Sequence, residues 1–337
     1  MTEMTVLNGV AIEELLTIPM AVEAVEQAYL EKSKGDAALW PMVFHEFDPG
    51  HADLDIKSGD LGGLGFYGLK VVSWFGANPG KGLPSLYGTS LLFDLATGAP
   101  RALLNAGPIT HFRTGAAGAI GAKYLARPDA ETLLMAGTGA LAPYLIAATL
   151  YLLPQIKTVY VTNPHHPECS AAACEAITPQ VEKLLSGCGG CHAAIAAAPD
   201  LEKAVRHSDV ILTATPAREP FIKAEWVQPG THISCVGADM SGKQEVDSAL
   251  FASAKVFGDD TAQCLSVGEC EVPYKTGVFS GHICEIGGVI SGAEAGRADA
   301  SDITIFDSTG IALQDIATAA ALLQAAQETG KGQTVTL

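Results

Sequence analysis

Apolar side chains follow two regimes along this chain, and the change falls near residue 130. Over 17–35, Ile18, Val22, Val25 and Tyr29 recur at i, i+4, i+7 and i+11, which lines them along one helical face. Thr17 suits the cap, Pro19 the first turn and Gly35 the stop, so this helix is expected to be the first element. Residues 40–105 switch to short alternating runs separated by Gly, Pro and Asn, at 42–47, 53–58, 66–74, 88–94 and 100–104. The last two flank Ala96-Thr97-Gly98-Ala99, a hairpin turn. These runs imply a mostly antiparallel sheet. A helix is then expected over 110–126, with Thr110 as its cap and Arg113 in its first turn. Gly115, Gly118 and Gly121 give it a face that another backbone can approach, and Arg113 and Lys123 flank a stretch too short to span a membrane.

From Glu131 onward, strand-like runs at 131–136, 158–162, 192–197, 209–214, 232–236, 254–258 and 303–306 alternate with helical patterns. Such alternation implies a parallel, doubly wound sheet. The Ala-rich tail after Gly310 reads as a helix that packs back on the first domain. The expected fold class is α/β. A Rossmann-type domain covers 129–310, and an α+β domain with a mostly antiparallel sheet is built from 1–128 and 311–337.

Composition agrees with two packed domains: 337 residues, 48% of them apolar, with abundant Gly and Ala. The net charge of −17 leaves no electrostatic footprint for nucleic acid or an anionic membrane. No apolar run reaches spanning length, and residues 1–16, with Glu3, Glu13 and Glu14 but no Lys or Arg, do not form a secretory signal. Eight cysteines in that setting point to reduced thiols and a cytoplasmic location. Cys188-Gly189-Gly190-Cys191-His192 matches a c-type haem pattern and half a zinc site, but no second ligand pair accompanies it, so no metal is expected.

The chemistry concentrates at a few points. The strand Thr132–Ala136 runs into Gly137-Thr138-Gly139-Ala140-Leu141-Ala142, a GxGxxA turn opening a helix. Gly137 permits the tight turn, Gly139 lets the backbone approach a pyrophosphate, and Ala142 keeps helix and strand close. The next strand ends at Asn163-Pro164-His165-His166. It offers neither the acid usual for an NAD ribose nor the Arg usual for an NADP phosphate, so NAD and NADP both stay open. Lys70 stands mid-strand in an apolar run, where an unpaired cation is costly to bury; an edge lysine facing solvent is the alternative. Arg113, in a first turn, opposes the helix dipole, which makes sense if guanidinium and helix end both face an anion; a structural salt bridge is the alternative. Asp239 follows an apolar strand at the carboxyl edge where such sheets bind ligands, or caps the next segment.

Taken together, several segments resemble the ornithine cyclodeaminase/mu-crystallin family. They are Gly68-Leu69-Lys70-Val71-Val72, Phe112-Arg113-Thr114-Gly115-Ala116-Ala117, the GTGALA turn, Gly237-Ala238-Asp239-Met240-Ser241-Gly242-Lys243-Gln244-Glu245, Val267-Gly268-Glu269, and Phe306-Asp307-Ser308-Thr309-Gly310 with Asp315. They occur in the right order over nearly the whole chain. The family includes cyclodeaminases, an archaeal type of alanine dehydrogenase, ketimine reductases and iminosuccinate reductases. The resemblance implies a homodimer joined through the first domains, which also bind a small amino, oxo or imino acid. It implies NAD(P) contacts at Arg113, Thr114, Gly137, Thr138, Gly139, Ala140, Leu141, Asn163, His165, Thr215, Val236, Gly237, Asp239, Ser308, Thr309 and Gly310. Lys70 and Asp239 would be catalytic, and His45, Lys57, Lys70 and Arg113 would hold substrate.

Cyclodeaminases carry an Arg near the position of His45 and an acid near that of Lys57. A carboxylate there receives the second ammonium of ornithine, whereas Lys57 fits a second carboxylate better. Asp53 and Asp55 lie close enough to confuse that assignment, and a solvated strand lysine is the alternative. The expected activity is therefore imino-acid reduction or amino-acid dehydrogenation on an alanine- or aspartate-like substrate. Cyclodeamination without net redox, or non-catalytic NADP binding as in a crystallin, are the alternatives.

Overall fold

The chain opens on a strand rather than a helix. In the computed structural model, which describes residues 2–189 and 193–337, β1 spans Glu3–Leu7 and precedes the helices Gly9–Leu15 and Ile18–Lys34. β1 is too short to show a period, and its partners lie far along the chain. The second helix follows its sequence: Thr17 Oγ1 accepts from Met20 N at 3.3 Å, and Gly35 stops it with φ 79°. Two compact units emerge, one ending at Arg113 and resuming over Ile311–Leu337, the other Thr114–Gly310. Cys191 and His192 of the haem-like pattern lie outside the described residues.

The first unit is built on β1 with β2 (Ala37–Leu39), β3 (Val43–Asp48), β4 (Ala52–Leu61), β5 (Phe66–Phe75), β6 (Leu86–Asp94) and β7 (Pro100–Asn105). The order is β1-β7-β6-β5-β4-β2, with β3 also pairing β4. All neighbours are antiparallel except β1 and β7. Asp94 Oδ1 accepts from Thr97 N at 2.9 Å and closes the β6–β7 hairpin.

Register decides which side chains meet at the centre of this sheet. Lys57 pairs with Lys70 and Lys70 with Ser90, and the adjacent row on that face is Gly59, Gly68 and Leu92. A Cβ on Gly59 would lie 3.1 Å from Leu313, and one on Gly68 would lie 3.4 Å from Ile316. The two glycines thus let the helix Ala312–Thr329 lie close on this face.

In the second unit, β8 (Thr132–Ala136), β9 (Thr158–Thr162), β10 (Ala194–Ala197), β11 (Val210–Thr213), β12 (His232–Cys235), β13 (Lys255–Gly258), β14 (Cys284–Glu285) and β15 (Thr304–Asp307) pair only in parallel. Their order is β10-β9-β8-β11-β12-β15-β13-β14. Chain order reverses at β8, which has β9 on one side and β11 on the other. β15 inserts between β12 and β13, a choice no local pattern announces. Back in the first unit, β16 (Gln333–Thr336) ends the chain's regular structure and pairs antiparallel with β1.

The helix expected over 110–126 spans Ala106–Leu125. Asn105 Oδ1 accepts from Gly107 N at 2.9 Å, and Thr110, far from capping, bonds the Ala106 carbonyl from inside the helix at 2.8 Å. Arg113 is therefore interior, and the helix dipole does not explain its placement. Within the second unit, a Cβ on Gly115 would lie 2.7 Å from the Tyr144 backbone, so the small-residue face does admit a second helix.

Candidate active site

Lys70 is 3% exposed, and its ammonium lies 3.0 Å from Asp315 Oδ1. Arg113 Nε donates to the same oxygen at 3.2 Å, and its Nη1 donates to Gln314 Oε1 at 2.9 Å. Gln314 Nε2 donates in turn to Tyr29 Oη at 2.8 Å. One turn of the C-terminal helix thus grips both cations, and the chain Tyr29–Gln314–Arg113 fixes the guanidinium. Lys57, 9% exposed, leaves the sheet beside Lys70 on the same face.

Burial pulls the Lys70 ammonium down to about 8; Asp315 opposes this, and Arg113 and Lys57 reinforce it. Burial raises the Asp315 carboxyl, but Arg113, Lys70 and Lys57 outweigh it and hold the group below the usual range. Lys70 and Arg113 share one carboxylate, which leaves the trio with a net positive charge in a dry place. An anionic ligand such as a carboxylate answers that excess.

His45 does not join this cluster. It pairs with Leu54, whose side chain alternates to the face opposite Lys57, and its exposed ring meets Phe47 edge-on at 5.0 Å. In sequence, Asp315 is an acid opening an Ala-rich helix, which by itself reads as a dipole complement. Gln314, Tyr29 and Ser90 carry no sequence signal of a site.

In the second unit Gly137 adopts φ 129°, and a Cβ there would lie 2.6 Å from the Ala214 carbonyl. A Cβ on Gly139 would meet nothing within 4 Å. No side chain caps the helix Ala142–Leu152 that follows, which leaves its first N–H groups to a ligand. Ala140 is exposed and Leu141 half-buried at the tip of this turn, and Thr114 is buried. Asn163 Nδ2 donates to Thr138 Oγ1 at 3.1 Å, while its Oδ1 accepts from the His165 and His166 amides at 3.2 and 3.0 Å. Its side chain is thereby spent on shaping the loop after β9. The buried hydroxyls of Thr162 and Ser308, at the carboxyl ends of β9 and β15, have no partner among the described residues. Open space at Gly139, uncapped amides and orphan hydroxyls fit a dinucleotide.

Glu245 ties the neighbouring strand ends together. Its Oε1 accepts from Thr215 N and Oγ1 at 2.7 and 2.8 Å, and its Oε2 from Thr213 Oγ1 and Gly237 N at 2.7 and 2.9 Å. Burial pushes this carboxyl up to about 7, against those four donors. Val236, just before Gly237, is buried. Asp259 plays a like part beside β15, accepting from Thr309 Oγ1 at 2.7 Å and Gly310 N at 2.9 Å. Asp239 is half exposed and lies 2.5 Å from Lys243 Nζ. Among the described residues no cluster of metal-ligating side chains occurs, and no helix is long and apolar enough to cross a membrane.

A parallel sheet with a glycine-rich turn at its switch point, in one chain with a buried Lys–Arg–Asp cluster, defines the class of dinucleotide-dependent oxidoreductases. The chain matches the ornithine cyclodeaminase/mu-crystallin family over residues 2–330 and belongs to it. It is 36% identical over 321 residues to the alanine dehydrogenase of Archaeoglobus fulgidus, covering 94% of this chain and 93% of that protein. An archaeal alanine dehydrogenase dimer with bound NAD superposes with a TM-score of 0.86 at 35% identity, covering 99% of each chain. The iminosuccinate reductase of Paracoccus denitrificans in complex with NAD+ gives 0.88 at 31% identity, covering 99% of this chain and 100% of that one.

Proposed function

We propose that the chain is an NAD(P)H-consuming imino-acid reductase, and in reverse an amino-acid dehydrogenase, acting at Cα of a small alanine- or aspartate-like acid. The observation that carries this over cyclodeamination is Lys57, buried and directly opposite Lys70. A cyclodeaminase must accept the second ammonium of a diamino acid. A third basic side chain on this face repels such a group and suits an acidic substrate instead.

The dinucleotide supplies or accepts the hydride; this chain's residues do the rest. Lys70 and Arg113 bind the substrate carboxylate, and Asp315 and Gln314 hold those two cations in place. Asp239, beyond the carboxyl end of β12, is an acid able to hold or return a proton. We assign substrate binding and dimerisation to the unit containing β1–β7 and dinucleotide binding to the unit containing β8–β15. The exposed Val43, Phe44 and Phe47 of β3 give the first unit an apolar surface suited to a second copy, as in the archaeal dimer. All seven described cysteines are free thiols, which suits the reducing cytoplasm.

Absorbance at the reduced nicotinamide band tests the reading. Pyruvate or oxaloacetate with ammonia should oxidise NADH or NADPH stoichiometrically. Turnover of ornithine without net cofactor change, with both oxo acids inert, would replace it by cyclodeamination.

A further inference from the structure

Ser90 carries a hydroxyl that the fold buries, at 3% exposure, and leaves without a hydrogen-bond partner among the described residues. Its position is unusual for such a group. On β6 it stands directly opposite Lys70, so the two side chains leave the sheet as neighbours on one face. Lys57 flanks Lys70 on the other side, which makes a row of three polar groups across β4, β5 and β6. Nothing around Ser90 within the sheet satisfies it. Leu104 opposes it on β7, and Gly88 and Leu92 are its neighbours along β6 on that face. An orphan buried hydroxyl costs free energy that alanine would avoid. Of the unpartnered buried hydroxyls, Ser90, Thr149, Thr162 and Ser308, Ser90 is the one in the unit that holds Lys70 and Arg113.

We propose that Ser90 is a third ligand of the substrate carboxylate, its hydroxyl donating to a carboxylate oxygen beside Lys70 and Arg113. This rests on the reading of that pair as the carboxylate site. A carboxylate offers about four acceptor sites, and a hydroxyl directly opposite Lys70 on the same face is placed to fill one of them. A neutral donor does so without placing a further positive charge next to Lys70.

The test is Ser90→Ala, and it is two-sided. Without ligand the variant should melt at the wild-type temperature or above, because the orphan is gone. Its KM for pyruvate or oxaloacetate with ammonia should rise about 10- to 100-fold, the value of one hydrogen bond to a charged group. NADH affinity, read by the fluorescence of the bound dinucleotide, should not change. An unchanged KM, or a lowered melting temperature, overturns the proposal, the latter by showing that the hydroxyl serves the fold. If the wild type turns over neither oxo acid, the functional reading falls by itself. Ser90 is then judged by heat protection with oxalate as a carboxylate probe. Weaker protection of the variant supports the assignment, and equal protection overturns it.

Discussion

Asp315 lies 3.0 Å from the Lys70 ammonium, although 245 residues separate the two in the chain. Both are almost fully buried, and Arg113 reaches the same carboxylate. Asp315→Asn would leave two cations buried together without a counter-charge. We expect the unfolding free energy to drop by about 3–5 kcal/mol, the scale for removing one partner of a buried pair. Denaturant titration measures it, and an unchanged midpoint would show that the cluster does not depend on Asp315.

Lys70 should impose a pH limit on carboxylate capture. Its charged form is the protonated one, and burial lowers its pKa to about 8 from the ordinary lysine value. The charge is therefore present below pH 8 and lost as pH rises through it. The inhibition constant of oxalate, which does not titrate in this range, should rise about tenfold per unit above pH 8. Lys70→Arg keeps its charge and should remove the break. A flat profile to pH 10 in the wild type would mean that Lys70 does not set anion binding.

Gly139 and Gly137 should respond differently to side chains. A Cβ on Gly139 meets open space, so Gly139→Val should fold normally yet lose dinucleotide affinity by about 100-fold or more, because the valine occupies the pyrophosphate position. Gly137→Ala should destabilise the fold, because its Cβ would lie 2.6 Å from the Ala214 carbonyl at a positive φ. NADH fluorescence titration alongside thermal melting separates the two effects. Wild-type affinity in Gly139→Val would make the turn merely structural.

Lys57 sets a preference between one and two carboxylates if it faces the substrate. Oxaloacetate should then outperform pyruvate in kcat/KM, and Lys57→Ala should lower that preference by about 1–3 kcal/mol. Asp55 shares this face of β4. If Lys57 only balances Asp55, the ratio will be the same in wild type and variant.

Local physics makes much of this protein readable from its sequence. Periodicity and capping locate the helix Ile18–Lys34, strands β4–β7 and the parallel strands except the two-residue β14, because each depends on neighbours a few residues away. The glycine-rich turn and Lys70 are visible for the same reason: their residue types are anomalous where they stand, whereas Arg113 is legible through the family resemblance and not through the helix dipole. Tertiary structure decides everything that needs a distant partner. β1 gains its place from β7 and β16, and β15 is inserted between β12 and β13 by packing that no local pattern encodes. Thr110 reads as a cap in the sequence, yet Asn105 holds the true helix start. His45 and Lys57 look like companions along the chain, but strand pairing sends them to opposite faces, since a one-residue offset inverts a side chain. Ser90 is an ordinary residue in its own segment, and Asp315 stands out there only through the family resemblance, with no role attached. They acquire meaning beside Lys70 because Gly59 and Gly68 admit the last helix to the sheet and because register sets β6 against β5.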